Sequence, residues 1–223
     1  MSGVELAGQI VILNGAPRSG KSSIAAVIQE TFATPWINLG VDVARAMTPP
    51  GVQPGIGLRP GEPDHPAASV QPVLYAALWE SVAAHVRLGL SVVVDVGLYD
   101  VAIAKDAARR LEGVPVLFVG VLCGVYVIME RRRQAGADRY VVASASEPVP
   151  EPVLRWQREV HAHWVYDLEL DTSVASPQKC ASAIRGRLEL GPLATHSPGW
   201  RPTDHPFSGL PWRAPASLRS NGV

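Results

Sequence analysis

Short apolar runs recur along the chain, and each is followed by a segment that is predicted to be helical. The first run, residues 9–13, is too apolar for a sheet with one wet face and predicts a central strand. The run at 90–95 is apolar up to its terminal aspartate, whereas 166–170 alternates as an edge strand does. Further strands are predicted at 35–42 and 116–121. This order of strands and helices predicts an α/β protein with an open sheet.

Two of the predicted helices begin with capping signals. Asp100 precedes a helix that runs to about residue 111, and Ser176 stands before Pro177 at the start of a helix that ends near residue 190. A helix is also predicted at 153–164, between the fourth and fifth strands.

Two segments rich in proline show no periodic pattern. Residues 48–66 contain six prolines and four glycines, which is long for a loop of a compact domain and typical of a functional segment. We expect this loop to form part of a substrate-side wall, with a disordered insertion as the alternative. Residues 191–223 are also rich in proline and contain several aromatic residues. The sequence therefore predicts a main domain at residues 1–190 and a C-terminal extension at 191–223.

A glycine-rich segment joins the first strand to the first helix. It has the spacing G-x-x-x-x-G-K-S, from Gly15 to Ser22, in the strand–loop–helix setting of phosphate-binding loops. Glycines let successive N–H groups point at a phosphate, and the following helix adds its positive dipole end. Lys21 supplies a charge for the β- and γ-phosphates, and the Ser22 hydroxyl is a ligand for Mg²⁺. The predicted nucleotide-binding residues are Gly15, Ala16, Pro17, Arg18, Ser19, Gly20, Lys21, Ser22 and Ser23. The alternative is a glycine-rich turn before a core helix.

Two aspartates stand at the carboxyl ends of predicted strands, where open α/β sheets bind their ligands. Asp42 ends the second strand, one crossover after the phosphate loop, and is predicted to meet the hydroxyl group of a substrate. The alternative, an N-cap of the next helix, is compatible with that role. Asp95 ends the third strand and is predicted to hold Mg²⁺ together with Ser22.

A basic cluster follows the fourth strand. The helix predicted at about 124–134 ends in three consecutive arginines, and Arg139 lies just beyond it. In nucleotide kinases this position carries a lid whose arginines neutralise the transferring phosphoryl group. We therefore expect Arg132 and Arg139 to bind phosphates, and ordinary compensation of the helix dipole is the alternative.

The composition limits the classes of partner. The 223 residues carry a formal net charge of zero at pH 7, with no long run of one sign, so neither nucleic acid nor an anionic membrane is an expected partner. No apolar stretch reaches the roughly 18 residues that span a bilayer. The first residues lack the features of a signal peptide, and Cys123 and Cys180 are predicted to be reduced core residues. We expect a cytoplasmic protein.

The chain resembles the chloramphenicol 3-O-phosphotransferases in segments that follow one another from residue 9 to residue 172. The matching segments are Asn14-Gly15 to Lys21-Ser22, Pro35-Trp36, Gly40-Val41-Asp42, Val92-Val93-Val94-Asp95, Val119-Gly120-Val121 with Cys123, Arg132 with Asp138-Arg139, Val160-His161, Tyr166-Asp167 and Asp171-Thr172. The Gly-Val-Asp element is more specific than the phosphate loop alone.

The resemblance implies a P-loop kinase fold, with a five-stranded parallel sheet and helices on both faces, that uses ATP and Mg²⁺. It implies that Asp42 is the base for a substrate hydroxyl, that Lys21 and Arg139 bind phosphates, and that the chain self-associates. The acceptor is then a small-molecule alcohol such as an antibiotic. The sequence leaves two other functions open: a kinase of a nucleotide sugar or metabolite, as in zeta-toxin-type kinases, and a non-catalytic nucleotide-binding module.

Overall fold

The computed structural model describes residues 8–49, 70–135 and 149–191. They form one parallel five-stranded sheet with the strand order β2-β3-β1-β4-β5. The strands are β1 (Ile10–Asn14), β2 (Trp36–Gly40), β3 (Ser91–Val96), β4 (Val116–Leu122) and β5 (Leu168–Asp171). Every residue of the central strand β1 is buried, as expected for a strand covered on both faces. The predicted fold is confirmed.

Helices cover both faces of this sheet. In chain order they are α1 (Lys21–Thr31), α2 (Val41–Ala46), α3 (Gln71–Arg87), α4 (Val101–Arg110), α5 (Val125–Gln134), α6 (Glu151–Glu159) and α7 (Pro177–Glu189). Successive residues of β1 point to opposite faces, so Ile10 and Ile12 pack with α3 and α4. Val11 and Leu13 pack with α1 and α7.

A third apolar cluster lies above the carboxyl edge of the sheet. There Ile128 of α5 and the α6 residues Val153 and Trp156 pack with Ala16 of the phosphate loop and Cys123. This small cluster, separate from the two large cores, holds α5 and α6 over the region where the predicted site residues lie.

Both predicted helix caps are present. The carboxylate of Asp100 accepts hydrogen bonds from the backbone N–H groups of Ala102 at 2.7 Å and Ile103 at 3.3 Å. The Ser176 hydroxyl accepts one from Lys179 N at 3.3 Å, with Pro177 as the first residue of α7. Each cap satisfies amide groups that have no partner inside the helix.

Three predicted boundaries were wrong. The second strand ends at Gly40, so Asp42 lies in the first turn of α2 and is not its N-cap. The helix predicted to reach residue 164 ends at Glu159, because the carbonyl of Val160 accepts from the Asn14 side chain at 2.9 Å. The fifth strand begins at Leu168, because the carboxylate of Asp167 accepts the Phe118 N–H at 2.8 Å.

Several other expectations concern single residues. Tyr75 and Trp79 of α3 lie in the core. Cys123 and Cys180 are buried and free, as predicted. Within the described segments, no helix is long and apolar enough to cross a membrane. Most of the 48–66 loop and nearly all of the 191–223 extension lie outside the described residues.

Candidate active site

The phosphate loop is held in a shape that its glycines permit. Gly20, just before α1, has φ 100°, and Arg18 has φ 67°, both in the left-handed region. A Cβ on Gly15 would lie 2.5 Å from the backbone oxygen of Val121 and 2.8 Å from Ser19 Oγ. Because Gly20 has no side chain, no side chain caps the amide groups at the start of α1. These amide groups and the helix dipole favour an anion at this point.

Three polar side chains converge beside this loop. The buried ammonium of Lys21 donates to the carbonyl oxygens of Gly15 and Ala16, each at 2.9 Å. It lies 3.5 Å from the Asp95 carboxylate. The Ser22 hydroxyl donates to the other carboxylate oxygen of Asp95 at 2.5 Å. The start of α1 and the end of β3 thus place an ammonium, a hydroxyl and a carboxylate in contact.

Asp42 reaches the same region through the pairing of β2 with β3. Gly40 stands opposite Asp95 in this pairing, and a Cβ on Gly40 would lie 2.6 Å from the backbone oxygen of Asp95. Only glycine allows this approach. Since α2 begins directly after Gly40, its first turn carries Asp42 into the cleft that the phosphate loop lines.

The cleft has a volume of about 810 Å³ and contains most of the predicted site residues that the structure describes. From the predicted set, its lining includes Gly15, Pro17, Arg18, Gly20, Lys21, Ser22, Ser23, Asp42 and Asp95. Ala16 and Ser19 are buried behind this surface. Of the described residues that line the cleft, α5 contributes Arg131 and Gln134, and Ala135 follows directly after this helix; Arg132 is not among them. Arg139 lies outside the described residues.

Arg131 fastens α5 to the phosphate loop. Its guanidinium donates to the carbonyl oxygen of Arg18 at 3.1 Å and to the hydroxyl and carbonyl oxygens of Thr172 at 3.2 and 2.8 Å. The Thr172 hydroxyl in turn donates to Ser19 O at 2.5 Å. Residues 131–133 are three consecutive arginines, and the sequence alone does not indicate which of them faces the phosphate loop.

The cleft also contains residues to which the sequence had given no role in the site. Arg45 follows Asp42 by one helical turn, and Trp156 of α6 lies against Gly97, at which a Cβ would be 3.0 Å from the indole ring. The i, i+3 spacing of Asp42 and Arg45 was a usable signal. Trp156 had no such signal, because it is more than a hundred residues away from Asp42 along the chain.

A buried amide ties the surroundings of the cleft together. Asn14, the last residue of β1, accepts a hydrogen bond from Leu98 N at 2.6 Å. Its Nδ2 donates to Val160 O and to the Tyr166 hydroxyl, each at 2.9 Å. The residue before the phosphate loop thereby joins the segment after β3 to the end of α6. The fully buried Asn14 side chain therefore sets the positions of the phosphate loop, the segment after β3 and the end of α6 relative to one another.

His161 completes this network in its neutral form. Its Nδ1 lies 2.7 Å from the Tyr166 hydroxyl. That hydroxyl accepts from Asn14 and donates to the carbonyl oxygen of Val160 at 3.4 Å. Burial, followed by the positive charge of Lys21, lowers the pKa of His161 to about 4. Burial raises the pKa of Tyr166. Both groups are uncharged at neutral pH.

The parallel sheet, the phosphate loop and the cleft define a P-loop fold of the kinase type. Residues 8–189 match the family described as chloramphenicol phosphotransferase-like protein. The chain belongs to this family, as the resemblance predicted.

A relative from Mycobacterium tuberculosis (strain H37Rv) carries the name "Putative O-phosphotransferase". It is 26% identical over 204 residues, which cover 83% of this chain and 84% of the relative. The family and this relative together support a kinase-type phosphotransferase that acts on small molecules.

Solved structures share the fold at low sequence identity. A sugar kinase from Janibacter sp. HTCC2649 has a TM-score of 0.59 and 18% identity, over 85% of this chain and 99% of the kinase. The APS kinase of Mycobacterium tuberculosis, solved with AMPPNP and APS, has a TM-score of 0.54 and 16% identity. That match covers 82% of this chain and 98% of the APS kinase. These likenesses establish the P-loop kinase architecture.

Proposed function

We propose that this protein transfers the γ-phosphoryl group of ATP to a hydroxyl group of a small molecule. The observation that carries the proposal is that Asp42 and the phosphate loop line the same cleft. A nucleotide-binding module without catalysis needs the loop but has no use for a carboxylate at this place. The related APS kinase was solved with an ATP analogue, which supports ATP as the donor.

The phosphate-loop end suits a polyphosphate. The left-handed backbone at Arg18 and Gly20 turns the loop around a concavity, and Lys21 supplies the positive charge. In this proposal the loop from Gly15 to Ser23 binds the nucleotide. Arg131 keeps the loop in place by holding the carbonyl oxygen of Arg18.

The donor atoms beside the loop fit Mg²⁺. The Ser22 hydroxyl and the Asp95 carboxylate lie 2.5 Å apart and line the cleft, and oxygen ligands of this kind are those that Mg²⁺ prefers. No group of three or more His, Cys, Asp or Glu residues is assembled for a metal within the described segments. Protein sites usually bind Mg²⁺ through one or two carboxylates together with substrate phosphates. When bound, Mg²⁺ would neutralise charge on the β- and γ-phosphates.

Asp42 would position the acceptor hydroxyl and receive its proton. In the transfer step a new P–O bond forms between the acceptor oxygen and the γ-phosphorus, and the bond to the β–γ bridging oxygen breaks. ADP leaves with that electron pair, and the hydroxyl proton passes to the Asp42 carboxylate. Because phosphoryl transfer depends mainly on positioning and charge stabilisation, the proton is received late.

The test uses the full chain with Mg-ATP and a panel of hydroxylated compounds that includes chloramphenicol, other hydroxylated antibiotics and sugars. Mass spectrometry is expected to detect one acceptor whose mass increases by a phosphoryl group, in step with ADP release. An antibiotic acceptor is the first choice because of the family to which the chain belongs. ATP binding without any acceptor-dependent ADP formation would overturn the proposal in favour of a binding module.

A further inference from the structure

The charged side chains of the cleft are not evenly distributed. Among its described lining residues, the cations are Arg18, Lys21, Arg45 and Arg131, and the carboxylates are Asp42 and Asp95. The excess of positive charge is expected for a site that binds phosphates. Three of the four cations belong to the phosphate loop or are bonded to it, as the hydrogen bonds of Lys21 and Arg131 show.

Arg45 is the described cation at the other end. The sheet order places segments that follow β2 and β3 on one side of the phosphate loop and segments that follow β4 and β5 on the other. Arg131 and Thr172 therefore lie on the β4–β5 side. Arg45, which follows β2, shares its side with Asp42.

The short helix α2 displays this pair toward the cleft. Asp42 and Arg45 are three residues apart, so their side chains lie on the same helical face. All six residues of α2 are exposed or half-buried, so the helix contributes no fully buried side chain to the core. A base and a guanidinium side by side would suit an acceptor that carries both a hydroxyl and an anionic group. The same cleft is also lined by the apolar residues Val41, Val96 and Trp156.

We propose that Arg45 selects an acceptor alcohol that carries an anionic group, a carboxylate or a phosphate, over a neutral alcohol of the same shape. The inference rests on the proposed function, since it assigns the α2 end of the cleft to the acceptor. A guanidinium pairs with carboxylate and phosphate oxygens through two parallel hydrogen bonds. A neutral hydroxyl offers the guanidinium no charged oxygen.

The test compares two pairs of probes that differ only in charge: gluconate with sorbitol, and glycerol 3-phosphate with glycerol. Binding to the full chain is measured by calorimetry in the presence of Mg-AMPPNP, which prevents turnover. We expect the anionic member of at least one pair to bind about tenfold or more tightly than its neutral partner, as for a hydrogen bond to a charged group. In Arg45→Gln this ratio should fall to about one, and Arg45→Lys should keep part of it.

Arg109→Gln is the matched control, since Arg109 is an exposed arginine of α4 whose charge lies outside the cleft. Equal binding within both pairs, or a preference for the anion that survives in Arg45→Gln, would overturn the inference. The inference would also be overturned if Arg45→Gln lowered the stability of the fold but left the binding of every probe unchanged. Arg45 would then only offset the helix dipole in the last turn of α2.

A parallel assay keeps this inference separate from the proposed function. Asp42→Asn should still bind the anionic probe but form no phosphorylated product from ATP. If the wild-type chain binds the anion through Arg45 and forms no product with any acceptor, the kinase proposal fails while the role of Arg45 in binding stands. Product from neutral acceptors alone, unchanged in Arg45→Gln, leaves the kinase proposal intact and removes Arg45 from acceptor selection.

Discussion

At the phosphate-loop end of the cleft, most of the lining comes from one continuous segment, from Gly15 to Ser23. At the α2 end, the lining comes from α2, from the segment after β3 and from α6. The first end is shaped by backbone conformation, with left-handed residues at Arg18 and Gly20. The second is shaped by packing: Gly40 against Asp95, and Trp156 against Gly97. A binding function common to many proteins can be encoded locally, whereas selection of an acceptor depends on how distant segments meet.

Asp42→Asn is expected to distinguish the functions of the two ends of the cleft most clearly. The amide keeps the shape of the side chain but cannot receive a proton, so we expect kcat to fall about 10³-fold, within the usual range for a general base. The Kd for ATP should not change, because Asp42 does not belong to the loop. Calorimetry with ATP and product detection by mass spectrometry measure the two effects. Asp100→Asn is the control, since asparagine caps a helix as well as aspartate does; normal turnover in Asp42→Asn would remove this residue from the mechanism.

Changing Lys21 to Met should affect both binding and rate. The methionine retains an apolar stem in the buried position, but the charge is lost. We expect kcat/KM to fall by a few hundredfold, as when a preorganised charge at a reacting centre is removed. The Kd for ATP should rise in the same variant. Titration with ATP and steady-state rates test this, and wild-type affinity together with wild-type turnover would refute the nucleotide assignment.

Gly40→Ala tests whether the α2 end depends on packing. The added Cβ would lie 2.6 Å from the backbone oxygen of Asp95, so β2 or α2 must shift. A misplacement of about 1 Å is enough to lower the rate of phosphoryl transfer about 10²-fold. The Kd for ATP measured without Mg²⁺ should equal that of the wild type, because the phosphate loop is unchanged. Gly186→Ala is the matched control, because nothing lies within 4 Å of a Cβ added there. Full transfer activity in Gly40→Ala would show that the α2 end tolerates displacement.

The smallest expected effect concerns the hydrogen-bond network of Asn14, Tyr166 and His161, which links the two ends of the cleft. The pKa of His161 is lowered to about 4 in the folded chain, against about 6.5 when unfolded. Between these values the unfolded chain binds a proton that the folded chain does not, so this contribution to stability falls as the pH falls. From pH 7 to pH 5 the loss is about 2 kcal/mol.

Urea unfolding at both pH values measures this loss. His161→Gln can still form a hydrogen bond with the Tyr166 hydroxyl but does not titrate, so the variant should lose about 2 kcal/mol less than the wild type over the same interval. Equal losses in the two chains would show that His161 is not held neutral by the fold.

The sequence by itself determined β1, the phosphate loop, the start of α1 and the caps at Asp100 and Ser176. Each depends on interactions between residues a few positions apart: glycines that allow a left-handed turn, or a side chain that accepts from the next amide groups. The aspartates at the carboxyl edge were also predictable, because parallel strands bring their ends to one edge.

Only the tertiary structure decided which side chains complete the cleft. Sequence order could not select Arg131 from three arginines or bring Trp156 to Gly97. Nor could it show that Asn14 bonds to Leu98 and to Val160, which is 146 residues further along the chain. These contacts exist because strands far apart in sequence are neighbours in the sheet, and their partners are fixed by packing and burial. Local sequence carries no record of such partners, since the same side chain would face solvent in another arrangement of the helices.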